Sequence, residues 1–286
     1  MAAFDHFGGR IGSHPLKLVG DPALFCAHRD HVIATRGVHT VPGKPDAANA
    51  AAVIEAIEGS VRTCLAGEAA ALVTAPINKA VLNAAGFPFP GHTEFLGHLT
   101  GAARPVMMLA SDRLRVVPLT IHLPVAQVPA AIGTQAIVET AEIMLAALAR
   151  DFAIARPRLA VAGLNPHAGE DGLLGEEDAR IIAPAVAALA ARGHAVRGPL
   201  SADTLFHEEA RKSYDAALCM YHDQALIPIK TLSFWDGVNV TLGLPIVRTS
   251  PDHGTALDIA GTGKADPRSM IAAVKLAAGM ADARSR

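Results

Sequence analysis

Short apolar runs bounded by glycine and proline alternate along the chain with longer segments of helical period, the pattern of a sheet covered by helices. Asp46 is placed to cap a helix whose apolar positions Ala50, Val53, Ile54, Ile57, Val61 and Leu65 recur at about 3.6 residues, with Gly67 where the chain must leave it. Residues 70–74 then read as a buried strand. Thr134 is placed to cap a second helix through Ile137, Ala141, Met144, Leu145 and Leu148, after which residues 158–164 read as a strand. A third helix is expected over 176–191. The runs 106–110, 114–120, 216–221 and 238–242 complete a sheet of eight or more strands. No internal repeat, low-complexity tract or linker interrupts this alternation, so composition alone marks no domain boundary.

The 286 residues are 51% hydrophobic and 18% charged, enough to bury a substantial core and too apolar for disorder. Lys and Arg number 25 against 27 Asp and Glu, a net charge of -2 that exerts no global pull on nucleic acid or anionic membrane. The longest nearly uncharged apolar stretch, residues 181–191, carries Pro184 and falls well short of the roughly 20 residues of a spanning helix. No basic segment followed by an apolar run opens the chain, so a secretory signal is not expected. Cys26, Cys64 and Cys219 are odd in number and far apart, which argues against a disulfide framework or thiolate zinc cluster and for a reducing, cytoplasmic setting.

In open α/β sheets ligands bind beyond the carboxyl ends of the strands. Three histidines stand at such positions: His122 after the strand ending near Thr120, His167 in the loop after Leu164, and His222 after Tyr221 and before Asp223. If those strands share a sheet, the imidazoles can converge on one edge. Three neutral imidazoles with an open position for an oxygen ligand make a catalytic site for zinc or a similar divalent ion. With 13 histidines in the chain, chance placement after strands is the plainer alternative.

A second set, Lys230, Asn239 and Arg248, is expected in short loops rich in Gly and Pro, where charge-assisted hydrogen bonds would hold a phosphate or carboxylate. On residue type alone, solvated surface groups are the plainer reading. Gly91-His92-Thr93-Glu94 reads as a helix start whose free N–H groups suit an anion, or as an ordinary cap. No G-x-G-x-x-G follows a strand, and the P-loop, the G-x-S-x-G elbow and H-E-x-x-H are all missing, so dinucleotide folds of the usual kind, P-loop NTPases and serine hydrolases lose weight. Asn239-Val240-Thr241 is a glycosylation sequon without consequence in the absence of secretion. The stretch from His253 to Pro267 is dense in Gly and small residues, implying close backbone approach, with an acidic side chain available for a ribose or adenine edge.

That last stretch resembles the adenosine-binding loop of the isocitrate and isopropylmalate dehydrogenases. A closer resemblance, to the 4-hydroxythreonine-4-phosphate dehydrogenase family, is carried by ordered blocks from about residue 68 onward. They include Thr74-Ala75-Pro76-Ile77-Asn78-Lys79, Gly91-His92-Thr93-Glu94-Phe95-Leu96, Thr120-Ile121-His122-Leu123-Pro124, Gly163-Leu164-Asn165-Pro166-His167-Ala168-Gly169-Glu170, Ala202-Asp203-Thr204-Leu205-Phe206, Met220-Tyr221-His222-Asp223-Gln224, Val238-Asn239-Val240-Thr241-Leu242-Gly243-Leu244-Pro245 and Asp252-His253-Gly254-Thr255. The resemblance implies a three-layer α/β/α fold of the isocitrate and isopropylmalate dehydrogenase type, with two subdomains around a central cleft. Residues 1–89 would open the cofactor-side subdomain, 90–254 would form a central subdomain with the metal and substrate residues and the dimer interface, and 255–286 would return to the cofactor side.

By the same resemblance His122, His167 and His222 fall on metal ligands shared between two subunits. His92, Thr93, Lys230, Asn239 and Arg248 fall on substrate contacts, and His253, Gly254, Thr255, Asp258 and Gly261 on the cofactor loop. Lys230 and Asp223 are the candidates for proton transfer, Lys230 standing equally well as a phosphate contact. The implied reaction is oxidation of 4-phosphohydroxy-L-threonine by NAD or NADP with zinc, magnesium or cobalt, followed by decarboxylation, in a cytoplasmic homodimer of the pyridoxal phosphate pathway. A relative acting on another phosphorylated hydroxy acid or a cis-dihydrodiol is the runner-up. A metal-dependent hydrolase or an inactive binding protein is more remote. The family's opening strand and Gly-rich turn are not found: Gly20-Asp21-Pro22-Ala23-Leu24 looks similar but continues as Phe25-Cys26-Ala27, fitting the family's next strand. A late start or truncation is the expectation, with activity and the N-terminal edge placed in doubt.

Overall fold

The computed structural model describes residues 1–286, which group into two compact units, Met1–Pro105 with Leu244–Ser285, and Val106–Gly243. The first unit opens with a short helix α1 (Ala2–His6), a hairpin of β1 (Arg10–Ile11) and β2 (His14–Pro15), and a parallel pair β3 (Leu18–Gly20) and β4 (Val32–Ala34). Helix α2 (Ala50–Leu65) follows a 3-10 turn in which Asp46 accepts the N–H of Ala48, so the expected cap acts one short turn earlier. Strand β5 (Leu72–Val73), α3 (Lys79–Ala84) and α4 (His92–Thr100) complete the N-terminal part, and β12 (Arg248–Pro251) and α11 (Arg268–Arg284) return to it. β12 pairs in parallel with β5, setting Arg248 beside Leu72. The core joins Ile57 and Val61 of α2 to Leu82, Phe87, Phe95, Leu96 and Ile246. Because α2 packs on α4 and β5 pairs with β12, positions 89 and 254 fall inside this unit.

The second unit holds β6 (Val106–Ala110), β7 (Arg115–Pro118), β8 (Arg158–Ala162), β9 (Ala195–Leu200), β10 (Ala216–Cys219) and β11 (Val238–Leu242), adjacent in the order β11-β6-β7-β10-β8-β9. The first three are linked by antiparallel pairing, and β7, β10, β8 and β9 run parallel. Their interior residues are apolar on both faces, as parallel strands covered by helices require: β10 is buried throughout. Helices α5 (Val128–Ala131), α6 (Thr134–Asp151), α7 (Ala183–Ala191), α8 (Ala202–Leu205), α9 (Glu208–Arg211) and α10 (His222–Leu232) complete the unit. One core cluster joins Val116, Ala160, Ala162, Ala217 and Cys219 to Leu205, Ala225 and Ile229.

Three local expectations change. Thr134 is not a cap, since Gly133 takes that place and the Thr134 hydroxyl donates to Ile181 O at 2.9 Å. The helix expected over 176–191 begins as a π turn, Asp178–Ile182, before α7. Lys230, Asn239 and Arg248 lie in α10, β11 and β12 rather than in loops. Pro228 is accommodated within α10, and the apolar neighbours of Asn239 and Arg248 make buried strands from what read as turn composition. No single helix is long and apolar enough to cross a membrane.

Candidate active site

The parallel strands β7, β10 and β8 end at one edge of the second unit, so the three histidines that follow them share that edge. Pairing of β7 with β10 continues past the strands: Leu119 N–H donates to Cys219 O at 2.8 Å, and the buried Thr120 hydroxyl to Met220 O at 2.8 Å. His122 and His222 each come two residues later, with ring centroids 6.1 Å apart. Two imidazoles on one tetrahedral ion stand about 5–6 Å apart, ring to ring, given metal–nitrogen bonds of about 2 Å. His222 opens α10, and its Nδ1 lies 2.7 Å from Asp223 Oδ1, which leaves Nε2 for a ligand bond. This carboxylate–histidine arrangement orients metal ligands. The donor set therefore fits a divalent ion at this pair.

Behind the rings sits a residue that the sequence reading quoted but gave no role. Gln224 is buried; its Oε1 accepts Met220 N–H and its Nε2 donates to Gly163 O, each at 2.7 Å. It thus fastens the turn carrying His222 to the end of β8, from which the loop to His167 departs.

His167 opens a run of left-handed residues, His167–Asp171, and its Nδ1 is 3.6 Å from Glu170 Oε2. Asp203 is its neighbour: that carboxyl is held below its ordinary pKa first by the Ser201 hydroxyl, and in small part by His167. No three His, Cys, Asp or Glu side chains of one chain are arranged to hold a metal. The structure thus pairs His122 with His222 and gives His167 different neighbours.

Further along α10, Lys230 falls on the same stripe as His222 and Leu226, and these residues line a shallow depression with Asp223, Ile227 and Thr231. Asn239 is half-buried in β11, its Oδ1 enclosed without a hydrogen-bond partner.

In the first unit the chemistry is cationic. Arg248 is 3% exposed, and its guanidinium donates to Thr74 Oγ1 at 2.6 Å. Burial lowers its pKa to about 10. His92, the first residue of α4, is brought down to about 4 by burial, then by the charges of Arg248 and Lys79. At neutral pH it is an uncharged imidazole beside two cations. Lys79 is the site residue the sequence reading passed over. Its Nζ lies against the start of α4, an ordinary contact distance of 3.6 Å from where a Cβ on Gly91 would stand. Its one sequence signal is its place at the end of Thr74-Ala75-Pro76-Ile77-Asn78-Lys79. Thr93 follows on the same first turn, where free N–H groups favour an anion.

The residues 253–263 are largely exposed, with His253 Nδ1 2.9 Å from Gly254 O and a short 3-10 turn, Leu257–Ile259. Open space surrounds Gly254, which fits close approach of a cofactor. Gly261 has another reason to be glycine: a Cβ there would lie 2.9 Å from Pro42 Cβ.

The family model of pyridoxal phosphate biosynthetic protein PdxA matches residues 17–277, a longer span than the blocks from residue 68. A 4-hydroxythreonine-4-phosphate dehydrogenase of Paracoccus denitrificans (strain Pd 1222) is 58% identical over 275 residues, 94% of this chain and 84% of that protein. The crystal structure of 4-hydroxythreonine-4-phosphate dehydrogenase from Klebsiella pneumoniae superposes with a TM-score of 0.85 at 37% identity, covering 96% of this chain and 92% of that one. A terephthalate 1,2-cis-dihydrodiol dehydrogenase from Burkholderia xenovorans LB400 is more distant, with a TM-score of 0.65 and 30% identity over 87% of this chain and 80% of that one. The mixed α/β architecture with its large sheet is of the isocitrate dehydrogenase-like class.

Proposed function

The chain belongs to the pyridoxal phosphate biosynthetic protein PdxA family, and from that membership we propose that it oxidises 4-phosphohydroxy-L-threonine and releases carbon dioxide to leave 3-amino-2-oxopropyl phosphate. The carrying observation is the His122–His222 pair, 6.1 Å apart at adjacent strand ends and backed by Asp223. The cis-dihydrodiol reading is weaker, resting on 30% identity against 58%.

His122, His167 and His222 are the residues assigned to the ion, which when bound supplies Lewis acidity at the substrate hydroxyl and the ketone that replaces it; zinc, magnesium and cobalt all suit that role. NAD or NADP, assigned to His253, Gly254, Thr255, Asp258 and Gly261, supplies the hydride acceptor. The remaining work belongs to side chains. Asp223 fixes the His222 tautomer through Nδ1, orienting the ring. Arg248 and Lys79 supply positive charge for the phosphate, while His92, uncharged at neutral pH, serves as a hydrogen-bonding partner together with Thr93. Asn239, half-buried in β11, offers its side-chain amide N–H to the substrate. Oxidation removes a hydride from the carbinol carbon and releases the proton of its hydroxyl to solvent. Loss of carbon dioxide from the resulting β-keto acid leaves an electron pair on the amino-bearing carbon, which Lys230 quenches with a proton.

The enzyme acts in the cytoplasm as a homodimer in which each metal site draws on both chains. Supporting this, exposed apolar side chains flank all three histidines: Leu123 and Val125 beside His122, Leu173 and Leu174 in the loop of His167, and Ile227 on the helix of His222. The test is formation of reduced nicotinamide from 4-phosphohydroxy-L-threonine with NAD or NADP and each metal in turn. Turnover expected with the phosphorylated substrate and absent after chelation would sustain the reading; a cis-dihydrodiol turned over in preference would overturn it.

A further inference from the structure

After β8 the backbone passes through Gly163, Leu164 and Asn165 and then winds left-handed. His167, Ala168, Gly169, Glu170 and Asp171 have φ of 53°, 53°, 83°, 43° and 54°. L-residues resist this conformation because Cβ crowds the following carbonyl oxygen, and only one of these five is glycine. A group outside the turn must therefore hold it.

Asp178 is that group. It is 1% exposed; Oδ1 accepts Leu164 N–H at 2.8 Å, and Oδ2 accepts both Asn165 N–H and Asn165 Nδ2 at 3.0 Å. These contacts satisfy two successive backbone donors at the strand exit, where continued ladder pairing no longer does so. Glycine makes room for the clamp: a Cβ on Gly163 would lie 2.7 Å from Asp178 Oδ1 and 2.9 Å from Ala168 Cα, and one on Gly169 would lie 2.8 Å from Gly175 O. Asp178 also begins the π turn Asp178–Ile182, whose Ile181 carbonyl is taken by the Thr134 hydroxyl of α6. The turn bearing His167 is thereby tied to two helices.

We propose that Asp178 is a positioning residue: by clamping the entry to the left-handed turn it fixes where His167 presents its imidazole, and so sets the affinity of the enzyme for its divalent metal. The proposal rests on the assignment of His167 as a ligand. A carboxylate is required because only donors converge on it, whereas an amide of the same shape would aim an N–H at one of them.

The test compares wild type, Asp178→Asn and His167→Ala as full-length, metal-stripped protein titrated with cobalt(II), read by visible absorption, with amide exchange measured before metal is added. Asp178→Asn should weaken cobalt binding about 10- to 100-fold, the range for partners of metal ligands. Amides 164–175 should exchange at least about tenfold faster, while α6 and α7 keep their protection, as expected for local rather than global opening. Should that variant not fold, Gly169→Ala strains the same clamp with the Asp178 carboxylate retained, its Cβ pressing on Gly175 O at 2.8 Å and lying 3.4 Å from Asp178 Oδ2, and must reproduce the cobalt loss. Wild-type cobalt affinity and spectrum in Asp178→Asn, with binding lost in His167→Ala, overturns the proposal. A general loss of protection through α6 and α7 with unchanged cobalt binding does so too, since it marks a merely structural role. If His167→Ala itself binds cobalt like wild type, the ligand assignment fails, a different failure that the Asp178 variant does not share.

Discussion

The histidine edge of the second unit keeps its chemistry in contact with solvent, whereas the cationic pole of the first withdraws its own. At the edge, His122 and His167 are exposed, and their order comes from buried polar residues behind the turns: Thr120, Gln224 and Asp178. At the pole the functional charge is itself inside, with Arg248 3% exposed and His92 kept neutral beside it. The contrast follows from the ligands each suits. A metal needs unprotonated nitrogens left open, so precision must be supplied from underneath. A phosphate is bound most strongly where charge is withdrawn from water, so burial is part of the recognition.

Replacing the exposed groups should have the largest effect on turnover. His122→Ala or His222→Ala is expected to lower kcat by about a thousandfold or more, through loss of Lewis-acid assistance, with an unchanged fold by circular dichroism. If each site takes two histidines from one chain and one from its partner, two of the three pairwise mixtures of inactive His→Ala variants recover activity and the third stays silent. The 6.1 Å ring pairing makes His122 with His222 the silent mixture. Recovery in no mixture, with subunit exchange demonstrated, would show that one chain builds the whole site.

Arg248→Ala strikes the buried side of the comparison. Loss of a charged hydrogen-bond partner, about 1.5–3 kcal/mol, predicts a KM for phosphorylated substrate about 10- to 100-fold higher, and Arg248→Lys should restore only part of it. An unphosphorylated analogue used as well as the substrate by wild type would argue against a phosphate pole.

Gln224→Leu asks whether the support beneath the histidines matters. It leaves Met220 N–H and Gly163 O unpaired, at about 1–3 kcal/mol for each buried group, and is expected to weaken metal binding about tenfold. Equilibrium denaturation and cobalt titration measure the two effects separately. Metal affinity unchanged at reduced stability would confine Gln224 to the fold.

The effect furthest from turnover is a pH slope in stability. The folded pKa of His92, about 4, lies below its ordinary value of 6.5, so the unfolded chain binds the additional proton between those values. Its contribution to stability is therefore present above pH 6.5 and is lost as pH falls toward 4. The difference is at most about 3 kcal/mol. His92→Gln should flatten this part of the stability profile; an unaltered slope would mean that His92 is solvated in the folded state.

Strands β6 and β11 are legible to the residue from their apolar runs, because each is a local pattern with clear borders. The three histidines are legible as strand-end residues for the same reason. Other positions escape local reading. Thr134 carries the composition of a cap but spends its hydroxyl on Ile181, a partner brought in by folding. Lys230 and Arg248 have loop-like neighbours in sequence, yet burial against the sheet makes regular elements of them. Lys79 gains meaning only when folding brings its charge close to His92.

By itself the sequence determines the α/β alternation, the placement of histidines after β7, β8 and β10, and the family through its ordered blocks, because these depend on residue type and short-range period. Tertiary structure alone decides which side chains act together. The left-handed turn of His167 requires Asp178, the register of His122 with His222 requires the continued β7–β10 pairing, and the lowered pKa of His92 requires burial, then the charges of Arg248 and Lys79. Each is a relation between residues distant or differently oriented along the chain, and hydrogen-bond geometry and desolvation act only once folding has brought them together.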